Sequence, residues 1–274
     1  MSLRLTELGI EHVRVFADTG WEHPDTLEYV AEYLPRVLGP ISIVGRPGGM
    51  PALIRHKGMF PSRVRRYCTT ELKVKPILAF INELDPDCRA VNVVGIRAEE
   101  SSARAKLHEW EHDANGFERW VWRPLIDWTL QDVIDIHHRH GVRPNPLYLT
   151  RSERVGCWPC IFARKAEIKT VAEETPWRID EIRQLEAEAT EAAAARYAAR
   201  GEGSFTSKGY PGGPTFFYPA NKKSRGQYWP IDRAVEWSKT GRRGKGGEMF
   251  YDEAEPGCVR WGLCDSGPLK KEKP

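Results

Sequence analysis

The chain has 274 residues, of which 41% are hydrophobic and 29% charged; that is apolar material enough for a sizeable core and excludes the signature of a disordered chain. No apolar run reaches the length of a membrane span, and the start lacks a charged-then-apolar leader. A net charge of +3 is too small to argue for nucleic acid by itself, so the expectation is a cytoplasmic protein with no membrane partner.

Residues 3–8 read as the tail of a helix stopped by Gly9. Residues 12–17 predict a buried strand ending in Asp18-Thr19-Gly20, and Pro24 suits the first turn of a helix that runs to about Leu34. Residues 41–44 form a second short strand. Residues 46–59, rich in glycine, proline and basic side chains, read as a loop. Residues 76–84 are helical, 90–94 are an apolar strand ending at Gly95, and 120–123 are a further strand. Thr129 with Asp132 makes a capping-box pattern for a helix through His140. Strands alternating with helices imply a doubly wound, mostly parallel sheet, with ligands beyond the carboxyl ends of its strands. Asp18-Thr19-Gly20 and Gly95-Ile96-Arg97 both stand at such ends.

Further on, residues 176–200 predict one long helix with Pro176 inside its start and Gly201 past its end. Its many charges mark a solvated face. Residues 201–247 mix glycine, cations and aromatics. They read as an irregular tail folded back on the core, with nucleic-acid contact by charge and stacking as the competing use. Within them, 231–239 form a short helix. The last stretch carries Cys258 and Cys264.

The most distinctive stretch is RSERVGCWPCIFARK, residues 151–165. Cys157 and Cys160 stand beside glycine, tryptophan and proline, with Arg151 and Arg154 before them and Arg164 and Lys165 after. Such a turn aims both sulfurs at one point, and the flanking cations favour thiolate, the form that binds metal or attacks. The spacing alone leaves a metal or cluster site, a redox pair and chance as readings. Six cysteines in a cytosolic chain favour metal or redox chemistry over a disulfide framework.

Five segments line up in order: VFADTGWEHPDTLEYV, RRYCTTELKVKP, VVGIRAEESSAR, RPLIDWTLQDVIDIHHRHGVRPNPLY and RVGCWPC. Together they resemble the phosphoadenosine phosphosulfate (PAPS) reductase family of the adenine nucleotide alpha-hydrolase-like, PP-loop superfamily, over about residues 10–165. The resemblance implies a Rossmann-like α/β nucleotide-binding domain over 1–165. Residues 166–274 then form a helical and irregular C-terminal extension, basic, aromatic and cysteine-containing. It implies an adenine nucleotide, ATP or PAPS, as ligand, and a small-molecule sulfonucleotide or ATP as substrate. A thiol electron donor and a nucleic-acid substrate are the further partners it brings, since members reduce sulfonucleotides or activate and transfer sulfur.

Asp18, Thr19, Gly20, Gly95, Arg97, Glu100, Arg104 and Arg154 become the candidate nucleotide- and substrate-binding residues. Guanidinium forks suit phosphate or sulfate oxygens, and Glu99 and Glu100 stand ready to orient them or a metal. The resemblance also places Arg97 and Arg104 on the same cleft as Asp18 and Thr19. Cys157 and Cys160 resemble the second cysteine pair of the iron–sulfur members. The matching upstream position holds Tyr67-Cys68, with Lys73 and Pro76 after it. A four-iron cluster typically takes four cysteines. The resemblance therefore implies a 4Fe-4S cluster, or zinc as the alternative, on Cys68, Cys157, Cys160 and either Cys264 or Cys258. Cys88 is left without a role.

Two departures matter. The family's reductases use a C-terminal cysteine followed by glycine and histidine. Here Gly262-Leu263-Cys264-Asp265-Ser266 offers Cys264 as candidate nucleophile in a different sequence. The family's phosphate loop, serine-glycine-glycine-lysine-aspartate-serine, is also missing ahead of the first helix. Met1 is then expected to be an internal methionine of a longer functional protein, and the chain as written to bind nucleotide poorly. Three functions stay open: sulfonucleotide reduction or sulfur transfer, nucleic-acid thiolation, and a degenerate, non-catalytic, metal-bound nucleic-acid-binding subunit.

Overall fold

Helix α1 (Ser2–Glu7) leads through Gly9 into strand β1 (Arg14–Asp18) in the computed structural model, which describes residues 1–62, 65–112, 118–149, 155–201, 213–217, 228–240 and 261. Helical segments α2 (Pro24–Glu28) and α3 (Leu34–Leu38) follow, joined by a wider π turn over Tyr29–Tyr33. Strand β2 (Ile41–Gly45) pairs with β1. Then come α4 (Gly49–Lys57), the short turn α5 (Tyr67–Thr69) and α6 (Lys75–Leu84). Strands β3 (Asn92–Val93), β4 (Trp110–His112) and β5 (Trp120–Trp122) form a second sheet with β5 in the middle. There β5 runs parallel to β3, with Asn92 opposite Val121, and antiparallel to β4, with Trp110 opposite Trp122. Helices α7 (Leu130–Arg139), α8 (Lys165–Glu174), α9 (Pro176–Ala199) and α10 (Ile231–Lys239) complete an α/β, Rossmann-like architecture with a helical C-terminal part.

Local chemistry explains the element ends. At α7 the Thr129 hydroxyl accepts from Asp132 N at 3.2 Å, and the Asp132 carboxylate accepts from Thr129 N at 2.7 Å. That capping box satisfies two donors the first turn leaves orphaned. Helix α9 opens on Pro176, where a missing N–H costs nothing. The expected loop over 46–59 is instead α4. Its glycines and proline punctuate helix ends rather than a loop: Pro51 falls in the first turn, Gly58 follows the last residue, and Met50, Leu53 and Ile54 bury one face at helical spacing. The expected buried strand at 12–17 is half-buried along all of β1, and Val13 is 61% exposed. Among the described residues β1 has only β2 beside it in its sheet, which leaves much of it uncovered. The strand expected at 90–94 shrinks to β3, and β4 and α8 were not anticipated.

The chain divides into two compact units. One comprises Met1–Ala17, Asp25–Val44 and Val74–Pro146. Its buried cluster is Leu3, Ile136 and Val142, with Tyr33, Leu34, Leu38 and Trp128 packed on it. The other comprises Asp18–Pro24, Gly45–Lys73 and Leu147–Pro274. Its cluster is far larger and runs from Trp21, Leu53 and Leu72 through Trp158 to Ile182 and Phe216.

Candidate functional site

The second unit contains the Asp18-Thr19-Gly20 turn. The Asp18 carboxylate accepts from Gly20 N at 2.7 Å and closes it. Two glycines let α4 begin directly against this turn. A Cβ on Gly49 would lie 2.5 Å from the Thr19 carbonyl oxygen, and one on Gly20 would lie 3.1 Å from Gly49 Cα; both have φ above +50°. Met50 N then donates to the Thr19 carbonyl at 2.8 Å.

Sequence reasoning missed Glu22. Its carboxylate accepts from Thr19 N at 3.0 Å, from Trp21 N at 3.1 Å and from the Thr19 hydroxyl at 2.7 Å. The donors expected to meet a nucleotide at this turn are thus engaged by the protein's own buried acid. Burial pushes the Glu22 carboxyl up, and the bond from the Thr19 hydroxyl works against it. The signal was present as Thr19-Gly20-Trp21-Glu22, which has capping-box spacing.

The turn is stitched to the cysteine stretch. Glu22 makes an isolated antiparallel bridge with Cys157, Trp158 N donates to the Trp21 carbonyl at 2.7 Å, and Trp21 Nε1 donates to the Pro159 carbonyl at 3.0 Å. The Thr19 hydroxyl lies 4.0 Å from Cys157 Sγ. Cys68 on α5, Cys157 and Cys160 line one small pocket together with Thr19, Arg66 and Lys73. Arg66 also lies over the Phe162 ring, 5.3 Å from its centroid.

The electrostatics correct one expectation. Burial pushes the Cys157 thiol up to about 11 and raises Cys68 as well; Lys73 is the chief opposing influence on Cys157. Desolvation outweighs nearby positive charge, so the chain alone does not favour thiolates here. Lys165, expected to help, lies over the Trp237 ring at 5.2 Å and donates to the Thr240 hydroxyl at 2.8 Å.

The described cysteines are free thiols. Among the described residues, no three of histidine, cysteine, aspartate and glutamate are arranged to hold a metal ion. The sulfurs of the pocket are nonetheless the soft donors that iron–sulfur clusters and zinc take. Cys258 and Cys264, the expected fourth ligand and candidate nucleophile, lie outside the described residues, as does Arg154.

The other candidates belong to the first unit. Gly95 stands just past β3, after Val94 N donates to the Trp122 carbonyl at 2.9 Å. Arg97 precedes a short helical turn, Ala98–Glu100. Its guanidinium pairs with Glu99 at 3.3 Å and Glu100 at 3.8 Å and reaches the Trp128 carbonyl at 3.5 Å. Glu100 also accepts from Arg97 N at 3.3 Å and pairs with Arg104. Glu99 accepts from Leu130 N at 3.2 Å, which ties the cluster to the start of α7. Glu100 therefore holds both arginine forks.

Comparisons with known proteins identify the family. The model of the phosphoadenosine phosphosulfate reductase domain matches residues 4–163. An uncharacterized 37.8 kDa protein in the gpa 5′ region of Escherichia phage 186 is 34% identical over 231 residues, covering 66% of this chain and 68% of its own length. An adenosine 5′-phosphosulfate reductase of Burkholderia cepacia is 38% identical over 101 residues, 36% of this chain and 38% of that one. One from Deinococcus radiodurans is 28% identical over 156 residues, 55% of this chain and 57% of its own. This chain thus spans well under two thirds of either named reductase. On the strength of the domain match, which covers more than half of the chain, the chain belongs to the phosphoadenosine phosphosulfate reductase domain family.

Proposed function

We propose that this protein carries out adenine-nucleotide-dependent sulfur chemistry on a small sulfonucleotide, with Cys68, Cys157 and Cys160 in its working centre. One observation carries the reading: Cys68, Cys157, Cys160, Arg66, Lys73 and Thr19 line a single pocket. Lys73 and Arg66 put positive charge where sulfate or phosphate oxygens need it. Asp18, Gly20, Gly95, Arg97, Glu100, Arg104 and Arg154 serve nucleotide and anion binding in this reading. Residues 1–165 are its nucleotide-binding domain and 166–274 its extension. The relatives named adenosine 5′-phosphosulfate reductases support the substrate class. A reducing, cytoplasmic setting suits free thiols.

By donor type the three sulfurs suit a 4Fe-4S cluster, or zinc, which Cys264 or Cys258 would complete. When bound, such a centre would keep its cysteine ligands as thiolates despite burial. In the reductive route a cysteine thiolate, with Cys264 as candidate, attacks the sulfate sulfur. A sulfur–sulfur bond forms, the sulfur–oxygen bond to the nucleotide phosphate breaks, and the nucleotide leaves. One thiol of a dithiol donor then attacks the cysteine sulfur and releases sulfite. The donor's second thiol frees the cysteine, and the donor leaves as its disulfide. The altered tail around Cys264 favours a second reading, thiolation of a nucleic acid.

The test is anaerobic purification with a visible spectrum and iron, sulfide and zinc analysis, on the wild type and on a Cys157→Ser, Cys160→Ser double variant. Titration with adenosine 5′-phosphosulfate, PAPS and ATP accompanies it. The expected result is metal lost from the double variant and, since the phosphate loop is missing, weak but saturable sulfonucleotide binding by the wild type. Unchanged metal content together with no nucleotide binding would overturn the proposal. Tight nucleic-acid binding that falls steeply with salt would move it to the second reading.

A further inference from the structure

The family match ends at residue 163, and Arg178, in the first turn of α9, stands beyond it. Arg178 is only 5% exposed. Its guanidinium lies over two indoles, 4.3 Å from the Trp21 ring centroid and 4.6 Å from that of Trp177. Nη2 donates to the Glu22 carbonyl at 3.2 Å and Nη1 to the Glu181 carboxylate at 2.7 Å, while the buried Nε has no acceptor among the described residues. Burying a cation and orphaning one of its donors is costly. The two aromatic faces and Glu181 offset that cost. A planar fork meets a carbonyl, a carboxylate and two rings at once; an ammonium does not.

What Arg178 holds is the junction of the candidate site. Trp21 is bonded to the cysteine stretch through Trp158 N and the Pro159 carbonyl. Glu22 fixes Thr19 and bridges to Cys157. One residue before α9, the Thr175 hydroxyl accepts from Trp158 Nε1 at 2.9 Å. The start of α9 thus grips both turns from one side.

We propose that Arg178 is a positioning residue for this site. Acting through Trp21 and Glu22, it fixes the Asp18-Thr19-Gly20 turn and Cys157 in one geometry, which makes the C-terminal extension a working part of the site. The role in sulfur chemistry rests on the function proposed above; the bracing itself does not.

The test uses Arg178→Met, which keeps an unbranched apolar stem and removes charge and donors, and Arg178→Lys, which restores charge alone. Each as-purified full chain is alkylated with iodoacetamide and read cysteine by cysteine by mass spectrometry. Affinity for adenosine 5′-phosphosulfate is measured by calorimetry on the same samples. Cys157 in Arg178→Met should alkylate roughly tenfold faster and nucleotide affinity should fall roughly tenfold, with Arg178→Lys between wild type and Met. Cys88, exposed and in the other unit, should keep its wild-type rate. A wild-type Cys157 rate in Arg178→Met overturns the inference. So does equal acceleration of Cys68 and Cys157 with loss of helical signal, because that is collapse rather than positioning. Should Arg178→Met fail to fold, Trp177→Leu removes only the outer indole, at a residue 46% exposed, and carries the same prediction at smaller amplitude. A wild type that binds no sulfonucleotide or ATP while Cys157 still responds sinks the function and keeps the brace. Nucleotide binding with no response at Cys157 sinks the brace alone.

Discussion

In the first unit the candidate arginines are held in ion pairs, with the Arg104 side chain 46% exposed and that of Arg97 13%, and the unit's buried cluster is small: Leu3, Ile136 and Val142. In the second unit the thiols back onto a core that includes Trp21, Leu72, Trp158 and Leu185, all at most 5% exposed. Exposed ion pairs are worth little and re-form readily around a new partner. Close-packed side chains do not shift without cost. The two candidate regions thus differ in kind: around Arg104 the charges can re-pair at little cost, whereas the positions of Cys68 and Cys157 are set by packing.

Truncations in the two cores should have the largest effects. Leu185→Ala, at a fully buried position in α9, should cost about 3 kcal/mol in denaturant unfolding. Leu3→Ala, in the small cluster, should cost distinctly less. Equal losses would mean that the two cores are equally committed.

A smaller and pH-dependent effect belongs to Glu186. This buried acid in α9 accepts from Phe216 N at 2.9 Å and from Ile231 N at 3.0 Å. Burial pushes its carboxyl from 4.5 up to about 7. A raised carboxyl binds its proton more tightly folded than unfolded, so the stability it contributes is complete below pH 4.5. That stability is lost as pH rises through about 7, by at most roughly 3 kcal/mol. Thermal unfolding of Glu186→Gln across that range should lose this slope; an unchanged slope would assign the dependence elsewhere.

The smallest effect lies in the first unit. Thr129→Ala removes the hydroxyl half of the α7 capping box and should cost about 1 kcal/mol, seen as faster amide exchange in α7 with α9 unaffected.

Legibility in the sequence followed the range of the interactions. Elements whose signals are local were readable: Thr129 and Asp132 announce α7, Pro176 and Gly201 bracket α9, and 231–239 is α10. Helix α4 was misread because its glycines and Pro51 look like loop chemistry until Met50, Leu53 and Ile54 find a core to face. At the site, residue types were legible and environments were not. Cys68, Cys157 and Cys160 stand out in the sequence and do share a pocket, yet the cations flanking Cys157 suggest a thiolate that burial disfavours. Glu22 carried a local signal that was overlooked. Arg178 carried none, since its partners Trp21 and Glu22 lie more than 150 residues away.

The bond from Trp21 to Pro159 closes a loop of 138 residues, and Thr19 meets Cys157 across the same span. Loop closure on that scale is repaid only once both ends are ordered, so local pieces such as α7 should form early and the pocket late. During synthesis the Asp18-Thr19-Gly20 turn leaves the ribosome long before the cysteines that complete it. Until α9 follows and docks, Cys157 and Cys160 are open to oxidants and to stray metals. The long-range stitching that shields these thiols in the finished protein therefore leaves them unguarded in the nascent chain.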